Sequence, residues 1–238
     1  MDDIPDTVTE ALSGVRTAGR PALEAGAGAG NATAALRAGE AAPVYAVTND
    51  REHAAGVRER FTGDGGVRTI RADLQAIPLP VDAVEVVTAH ALFNLVPTTD
   101  VAAIVAELTR VTAPGGTVVV DDYGPVPDEP TRALFGVGNA VSELVDATPT
   151  YTFYPAAHLR SLFEAAGWSH AETTTLLEPV SWTGDLLDAH AEIASDRAGV
   201  LPEPLASALR EHIERVRAAV GEQSETGRMY SIRLDLPG

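Results

Sequence analysis

Cysteine and lysine are both missing from this chain of 238 residues, and all 17 basic side chains are arginine. Without cysteine there can be no disulfide, no thiolate nucleophile and no cysteine-ligated zinc or iron–sulfur centre. No apolar run approaches the roughly 20 residues that a membrane-spanning helix needs. The first ten residues are acidic, where a secretory signal peptide would be basic. These absences predict a cytoplasmic protein with no membrane partner.

Positive charge is also scarce, because 34 acidic residues face 17 arginines and the formal net charge is −17. An acidic surface repels phosphate and no basic stripe offsets it, so nucleic acid is not expected as a principal partner. One interpretation of the charge is adaptation to concentrated salt, which screens carboxylate repulsion. The other is an ordinary acidic protein from a GC-rich genome. We favour the halophilic interpretation because lysine is absent altogether.

Short apolar runs alternate with helical patterns through the first two thirds of the chain, which is typical of βαβ units and a parallel sheet. There is no internal repeat, so an α/β fold in one domain is expected. Strands are predicted at 21–26, 44–48, 67–71, 84–89, 117–121, 171–177 and 228–236. Helices are predicted at 5–17, 31–38, 50–61, 97–111, 131–145, 155–166, 183–197 and 203–221.

The first strand runs into a glycine turn that contains Gly26, Gly28 and Gly30, with Glu24 two residues before it. Glycine lets the backbone turn sharply, lets a ligand approach closely and leaves helix N–H groups free to donate. A dinucleotide fingerprint would place its third glycine where this chain has Asn31. The G-x-G-x-G spacing therefore indicates another nucleotide-type site or a purely structural turn.

A carboxylate follows the third strand at Asp73, with Leu74 beside it. The carboxyl end of a parallel strand lies at the ligand-binding edge of the sheet. There Asp73 would accept a hydrogen bond from an exocyclic amine while Leu74 packs on the base; a turn or helix cap is the alternative role. A later motif, residues 107–116, ends the fourth helix and turns the chain through Pro-Gly-Gly into strand five.

Together these motifs resemble the class I S-adenosylmethionine-dependent methyltransferases, in particular the small-molecule branch that includes the ubiquinone/menaquinone-biosynthesis type. That family has an acidic residue with G-x-G-x-G, then D-x-x-x-L-P, an F-D-x-V strand and E-x-x-R-V-L-x-P-G-G. The resemblance implies a Rossmann-like, mostly parallel sheet of seven strands with helices on both faces and a helical cap. The matching segments are 24–30, 73–78, 84–87 and 107–116.

The resemblance also implies a domain organisation. Residues 123–150 and 178–227 leave from the carboxyl ends of strands five and six, so we expect them to form a helical cap that selects the acceptor. The apolar stripe on 203–221 would face that cap or a second subunit, and both a monomer and a homodimer remain open. The single domain, 1–238, would have its core at 20–122 and 154–177, with 228–236 as the closing strand.

Nine residues are expected to bind S-adenosyl-L-methionine, the co-substrate that the resemblance implies. Glu24 would lie near the ammonium group, Asp73 would accept from the adenine amine, and the glycine turn would face the methionine part. His90, just past strand four, would offer its carbonyl to the amino group and its ring to the active-site mouth, or be only a structural histidine. The full set is Glu24, Gly26, Gly28, Gly30, Asn49, Asp50, Asp73, Leu74 and His90.

Three features depart from the family pattern, and one of them is the replacement of Phe-Asp in the fourth strand by Val84 and Glu85. Strand two usually ends in an acidic residue that holds the ribose, but here Thr48 stands there, so Asn49 or Asp50 is expected to reach back. The histidine that is common after strand four is replaced by Asn94. These departures keep open a catalytically silent module that binds S-adenosylmethionine or S-adenosylhomocysteine.

The catalytic residue is left open, because methyl transfer depends mainly on alignment of nucleophile, methyl and sulfur. A phenol or amine acceptor would still need its proton removed. No metal site is predicted, since the histidines are scattered. The hypothesis is methyl transfer to a small-molecule acceptor; a dinucleotide oxidoreductase is disfavoured by Asn31 and by the Pro-Gly-Gly turn. The candidates for the base are His90, Tyr123 and Tyr154, with Asp122, Tyr151 and His158 further possibilities at the same edge.

Overall fold

A computed structural model describes residues 4–238 of the chain. The strands are β1 Ala22–Ala25, β2 Val44–Thr48, β3 Val67–Arg71, β4 Val84–His90, β5 Thr112–Tyr123, β6 Ser169–Leu177, β7 Ser181–Trp182, β8 Ser224–Glu225 and β9 Met229–Asp235. The helices are α1 Asp6–Ala11, α2 Asn31–Ala38, α3 Arg51–Arg60, α4 Val101–Val111, α5 Glu129–Asp146, α6 Ala156–Ala165, α7 Gly184–Ala198 and α8 Glu203–Val220, with a 3₁₀ turn at Phe93–Leu95.

Seven strands form the main sheet in the order β3-β2-β1-β4-β5-β9-β6. The first five pair in parallel, and β9 is antiparallel to both β5 and β6. The fold prediction is therefore confirmed. In this arrangement the carboxyl ends of β1 to β6 share one edge of the sheet, which is where parallel sheets bind ligands.

The first helix is shorter than predicted and ends at Ala11 rather than at residue 17. Gly14 adopts a φ of 76°, a left-handed conformation that does not continue an α-helix. Periodicity alone did not reveal this stop. The segment after it, residues 12–20, crosses the amino end of the sheet before β1.

The Pro-Gly-Gly segment lies within β5 rather than before it, because pairing with β4 already begins at Thr112. Val84 pairs with Thr112 and Val86 with Thr117, so residues 113–116 loop out as a bulge, with Gly115 at a φ of 80°. Glycine is the residue that reaches this conformation without a steric penalty. The predicted turn is therefore present, as a bulge.

Side-chain alternation along β5 sends residues to two different cores. Val118 and Val120 pack with α4 and α6 on one face, whereas Val119 packs on the opposite face. By the same alternation Asp121 and Tyr123 share the face of Val119, and Asp122 shares the face of Val120. This alternation places neighbouring carboxylates in two separate environments.

The helices α5, α7 and α8 pack against one another and cover the face of Val119 near β9 and β6; we call them the cap bundle. The stripe on α8 turns inwards, with Ile213 buried and Leu209 partly buried, while Leu205 remains 41% exposed. The short β7–β8 ribbon, which was not predicted, joins the two ends of this insertion. Among residues 4–238 no helix is long and apolar enough to cross a membrane.

Candidate active site

An open cavity of about 400 Å³ lies at the carboxyl ends of β1 to β4. Its volume is within the ordinary range for small-molecule pockets. Each strand contributes the residues that follow it, so the cavity is a product of the parallel topology. It is lined by Gly26 after β1, by Thr48, Asn49, Asp50 and His53 after β2, by Asp73, Leu74 and Gln75 after β3, and by Ala91, Leu92, Leu95, Val96, Pro97, Asp100 and Ile104 after β4.

Five of the nine predicted cofactor residues line this cavity: Gly26, Asn49, Asp50, Asp73 and Leu74. The other four, Glu24, Gly28, Gly30 and His90, are not among its lining residues. These four lie on or beside β1, the glycine turn and the end of β4. The five lining residues and the other four therefore occupy neighbouring parts of the same edge of the sheet.

The three glycines of the turn differ in what they do. Gly26 and Gly30 both have a φ of 76°, and a Cβ on Gly26 would stand 2.6 Å from Cδ1 of Leu92. A Cβ on Gly28, in contrast, meets no heavy atom within 4 Å. Gly26 and Gly30 are therefore required by the fold itself, whereas the space beside Gly28 is open to a ligand.

Glu24 lies beneath the amino terminus of α2, with only 3% of its surface exposed. Its Oε2 accepts from the Thr33 backbone N–H at 2.9 Å and also from the Thr33 hydroxyl, and Oε1 accepts from Ala32 N–H at 3.3 Å. Burial raises the pKa of Glu24, and these hydrogen bonds oppose the rise. The structure thus gives Glu24 a role in anchoring α2, and its place near the ammonium group of the co-substrate stays a prediction.

The end of β2 presents two polar groups to the cavity. Asp50 caps α3: its Oδ1 accepts from Glu52 N–H at 2.7 Å and from His53 N–H at 2.8 Å. Both bonds use Oδ1, so Oδ2 stays available. The capping bonds, from His53 first, lower the pKa of Asp50, so the carboxylate is ionised at neutral pH. A charged acceptor therefore stands where the family holds the ribose.

Asp73 caps the turn after β3 and leaves one oxygen for the predicted hydrogen bond with an exocyclic amine. Its Oδ1 accepts from Gln75 N–H at 2.8 Å, which closes the turn after β3. Its second oxygen has no protein partner among the described residues. Leu74 and Ile104 supply apolar surface to the same cavity. A carboxylate oxygen beside an apolar wall suits a planar base that carries an amino group.

His90 forms an ion pair with Asp121 across β4 and β5, through its Nδ1 and the carboxylate Oδ2. The His90 side chain is 22% exposed and that of Asp121 is 4% exposed. Burial alone lowers the pKa of His90, but Asp121, then Glu24 and Asp122, outweigh it and raise the pKa. The contact directs Nδ1 at Asp121, so in the neutral imidazole Nε2 remains to accept a proton, and protonation then completes the ion pair.

Asp121 was not singled out in the sequence, although the rule that selected Asp73 applies to it as well. It stands at the carboxyl end of a parallel strand, which is where functional side chains collect. Which of the two neighbours, Asp121 or Asp122, lies on which face of the sheet could not be assigned without the register of β5. The pairing of His90 with Asp121 gives His90 a defined orientation, which the sequence left undecided.

Comparison with known proteins assigns the part of the chain that builds the cavity. Residues 23–120 match the family described as "Methyltransferase domain". A curated relative, malonyl-[acyl-carrier protein] O-methyltransferase of Halorhodospira halophila, is 36% identical over 124 residues, which is 52% of this chain and 41% of the relative. The chain therefore spans about two fifths of the length of that relative.

Residues 23–120 are similar to methyltransferase domains, and the sheet has the class I methyltransferase fold. The family prediction is confirmed, and with it S-adenosyl-L-methionine as the co-substrate of this domain family. Of the four motifs that carried the resemblance, 24–30 and 73–78 lie at and after the carboxyl ends of β1 and β3, 84–87 lies in β4, and 107–116 joins α4 to β5.

Solved structures agree with this domain at the level of the fold. A protein of Bacillus halodurans assigned as a methyltransferase superposes with a TM-score of 0.68 at 16% identity, covering 97% of this chain and 99% of that one. A phosphoethanolamine N-methyltransferase of Haemonchus contortus was solved in complex with phosphomonomethylethanolamine and S-adenosylhomocysteine. It superposes with a TM-score of 0.61 at 15% identity, and the match covers 94% of this chain and 51% of that one.

The methyltransferase domain places the remaining catalytic candidates in different surroundings. Tyr123 shares the face of His90 and packs on Trp182, with ring centroids 5.4 Å apart. Tyr154 lies in the core beside α4 and α6, and its hydroxyl donates to Thr98 Oγ1 at 3.1 Å. His158 stacks on Tyr154. Tyr123 is thus the tyrosine nearest to the His90 side of the methyltransferase edge.

The cap bundle lies outside the matched segment, and an aromatic cluster fills its interior. Phe135 contacts Tyr151, Phe153, Trp182 and His190, with ring centroids 4.9 to 5.5 Å apart. The Tyr151 hydroxyl and His190 Nδ1 form a hydrogen bond of 2.8 Å. The cluster therefore joins the segment before α6 to the cap bundle, on the same face as His90.

Proposed function

We propose that this chain catalyses S-adenosylmethionine-dependent transfer of a methyl group to a small-molecule acceptor. The observation that carries the proposal is the cavity at the ends of β1 to β4, which gathers Gly26, Asn49, Asp50, Asp73 and Leu74 beside an oriented histidine. The family match and the curated relative support the same activity. The family match ends at residue 120, before the cap bundle begins.

The cavity residues fit the parts of S-adenosylmethionine. The open oxygen of Asp73 would accept from the adenine amine, with Leu74 and Ile104 against the base. Oδ2 of Asp50 and the amide of Asn49 are placed to hold the ribose. The open space at Gly28 allows the methionine part to lie against the backbone.

The bound co-substrate supplies an electrophilic methyl group on a sulfonium, and the residues of this chain align the acceptor and move its proton. Asp121 holds Nδ1 of His90, so Nε2 takes the proton from an acceptor hydroxyl or amine. The raised pKa of His90 makes it a stronger base than an ordinary histidine. The aromatic cluster of the cap bundle shields this side of the edge from water.

We further propose that the cap bundle decides the acceptor, because it lies outside the segment that matches the family. The curated relative is named for a malonyl group on an acyl-carrier protein, so carboxylic acids belong in the acceptor screen beside phenols, quinones and amines. The finer expectations of a cytoplasmic location, salt adaptation and no nucleic-acid partner rest on the composition and the charge of −17. The expectation of a monomer or homodimer rests on the apolar stripe of α8.

Titration calorimetry with S-adenosylmethionine, S-adenosylhomocysteine and NAD tests the cofactor. We expect the first two to bind and NAD not to bind. Asp73→Ala should weaken S-adenosylhomocysteine binding by about tenfold or more, since a charged hydrogen bond contributes roughly 1.5–3 kcal/mol. Glu143→Ala, an exposed carboxylate of α5 with the same change of net charge, is the control.

A labelled-methyl screen across the acceptor classes then separates an enzyme from a silent binding module. Transfer to at least one class supports the proposal. Tight binding of the co-substrate without transfer to any class would instead favour the binding module. Binding of NAD, with no binding of S-adenosylmethionine or S-adenosylhomocysteine, would reject the cofactor assignment.

A further inference from the structure

Asp122 is a buried carboxylate that the mechanism above does not use. It is 1% exposed and lies on the opposite face of β5 from the His90–Asp121 pair. Its Oδ2 accepts from the backbone N–H of Asn94 at 3.0 Å, and its Oδ1 accepts from the N–H of Tyr123 at 2.7 Å. Asp122 therefore ties the chain after β4 to the end of β5.

Asn94 extends this connection in two directions. We orient its side-chain amide with the nitrogen towards two acceptors, because the opposite orientation would direct the amide oxygen at both of them. In this orientation the Asn94 nitrogen donates to the carbonyl of Ala91, at 2.9 Å, and to Oδ1 of Asp122, at 3.2 Å. Its backbone carbonyl accepts from Thr152 N–H at 2.8 Å. Residues 150–154 in turn reach the cap bundle, where Asn139 on α5 bonds to the backbone of Tyr151. Asn94 thus joins the β4 loop, β5 and the cap.

The loop that Asn94 fixes (residues 91–97) forms one wall of the cofactor cavity. Ala91 has a φ of 45°, a left-handed conformation that is strained for a residue with a Cβ. Two bonds hold it there: Ala91 N–H donates to the Asp121 carbonyl at 2.7 Å, and the Asn94 amide donates to its carbonyl. Leu92, the next residue, lies against Gly26 in the glycine turn.

We propose that Asp122 is a positioning residue that, through Asn94, holds the wall of the cofactor cavity in its binding shape and connects that wall to the cap. The carboxylate form is the one that suits this arrangement, because the three groups directed at it are all N–H donors. The family histidine after β4 is replaced by Asn94, whose amide supplies the donor that both Ala91 and Asp122 require.

Protonation of Asp122 would reverse part of this network. A carboxylic acid must donate one hydrogen bond, so the Asn94 amide would turn its oxygen towards Asp122 and leave the Ala91 carbonyl without a donor. Burial raises the pKa of Asp122 to about 7; the N–H groups of Tyr123 and Asn94 oppose the rise and Asp121 adds to it. Tyr230, which pairs with Asp122 across β5 and β9, and His90 and Tyr123, on the other face of the sheet, are the other titratable groups that interact electrostatically with Asp122.

The test is the dissociation constant of S-adenosylhomocysteine, measured by calorimetry at several pH values from 5.5 to 8.5. For the parent protein we expect the affinity to fall about fivefold between pH 8 and pH 6, a coupling at the low end of the usual range. Asp122→Asn should bind at all pH values as weakly as the parent does at pH 6, because an amide resembles the protonated acid. Its pH profile should be flat.

Three further variants make the result decisive. Asp235→Asn is the control, since it changes a carboxylate at the other end of the β5–β9 pair. The Asp235 carboxylate accepts from the Thr117 hydroxyl at 2.8 Å, and the variant should keep the pH profile of the parent. Asn94→Ala should lower the affinity at pH 8 and flatten the profile even if Asp122→Asn does not fold. His90→Gln should retain the dependence on pH.

A dependence on pH that persists in Asp122→Asn, or that disappears only in His90→Gln, would overturn the proposal. The proposal uses the cofactor site as its probe and so rests on the proposed function. The two fail differently: a parent protein that binds no S-adenosylhomocysteine at any pH contradicts the proposed function, whereas binding with an unchanged profile in Asp122→Asn contradicts only the role of Asp122.

Discussion

The cofactor half of the molecule, residues 20–122, and the cap half, residues 123–227, are nearly equal in length but are organised differently. The first half presents single polar groups at strand ends, each close to an open cavity. The second contains five of the twelve aromatic residues in one closed cluster. The cofactor half carries 13 acidic and 8 basic residues, and the cap half carries 16 and 6.

This difference indicates a division of roles. In the cofactor half, short motifs place ligand groups, so a single substitution there should change binding more than stability. In the cap half, packing of large rings places the helices, so a single substitution should change stability more than cofactor binding. Three substitutions, two of them paired with a matched substitution, and one change of salt concentration test this division, beginning with the largest expected effect.

Phe135→Ala removes the central ring of the cap cluster, which is 3% exposed. We expect the free energy of unfolding to fall by about 3–5 kcal/mol, because the remaining rings cannot fill the cavity. Affinity for S-adenosylhomocysteine should change by less than about threefold. Urea unfolding and calorimetry measure the two quantities.

Phe61→Ala is the matched change in the cofactor half, where the ring is only partly buried and packs against Gly30. It should cost less stability than Phe135→Ala and weaken cofactor binding more. If Phe135→Ala weakened cofactor binding as strongly as Phe61→Ala, the proposed division of roles between the two halves would be wrong.

His90→Gln removes the proposed base on the border between the halves. We expect kcat to fall by about 10²-fold, at the lower end for general bases. In the parent, kcat should rise with pH through a value above the ordinary histidine pKa, and this rise should vanish in the variant. A pH–rate profile for the acceptor found in the screen measures both.

Stability supplies an independent check on the His90–Asp121 pair. A histidine whose pKa is raised by folding stabilises the protein below its unfolded pKa of about 6.5, and this contribution disappears as the pH rises through the folded pKa. The stability lost in His90→Gln should therefore be greater at pH 6 than at pH 9. An equal loss at both values would argue against the ion pair.

Gly28→Val tests the open side of the glycine turn. No heavy atom stands within 4 Å of the new Cβ, so stability should change by less than about 1 kcal/mol. Affinity for S-adenosylhomocysteine should fall by about tenfold because the side chain occupies the space of the ligand. Calorimetry and thermal unfolding of the same samples separate these effects.

Gly136→Val makes the same change on an exposed turn of α5, where a Cβ also meets nothing. It should leave both stability and affinity near those of the parent. Unchanged affinity in Gly28→Val would remove the glycine turn from the binding site.

Added salt should produce the smallest effect. Between 0.1 M and 2 M potassium chloride we expect Tm to rise by several degrees, on the order of 1 kcal/mol, as carboxylate repulsion is screened. The cap half has a net charge of −10 and the cofactor half one of −5, so amide exchange should slow more in the cap helices. A flat or falling Tm would reject the halophilic interpretation.

The amino-acid sequence by itself determined the order of strands and helices, the edge of the sheet that binds ligands, and the cavity residues Asp73, Leu74 and Asp50. These follow from local information, because hydrophobic periodicity, caps and glycine spacing act within a few residues. The wrong prediction for the end of α1 shows the limit of such local information. The helix does not continue past Gly14 because of a left-handed backbone conformation, which hydrophobic periodicity does not reveal.

Only the tertiary structure decided how neighbouring residues divide their roles. Glu24 turned beneath α2, Asp121 paired with His90, and Asp122 met Asn94 on the other face of the sheet. Each outcome depends on strand register and on which elements pack against a face, and these bring together residues that are 9 to 31 positions apart in the chain. Contacts at such separations are set by the whole fold, so no local pattern encodes them.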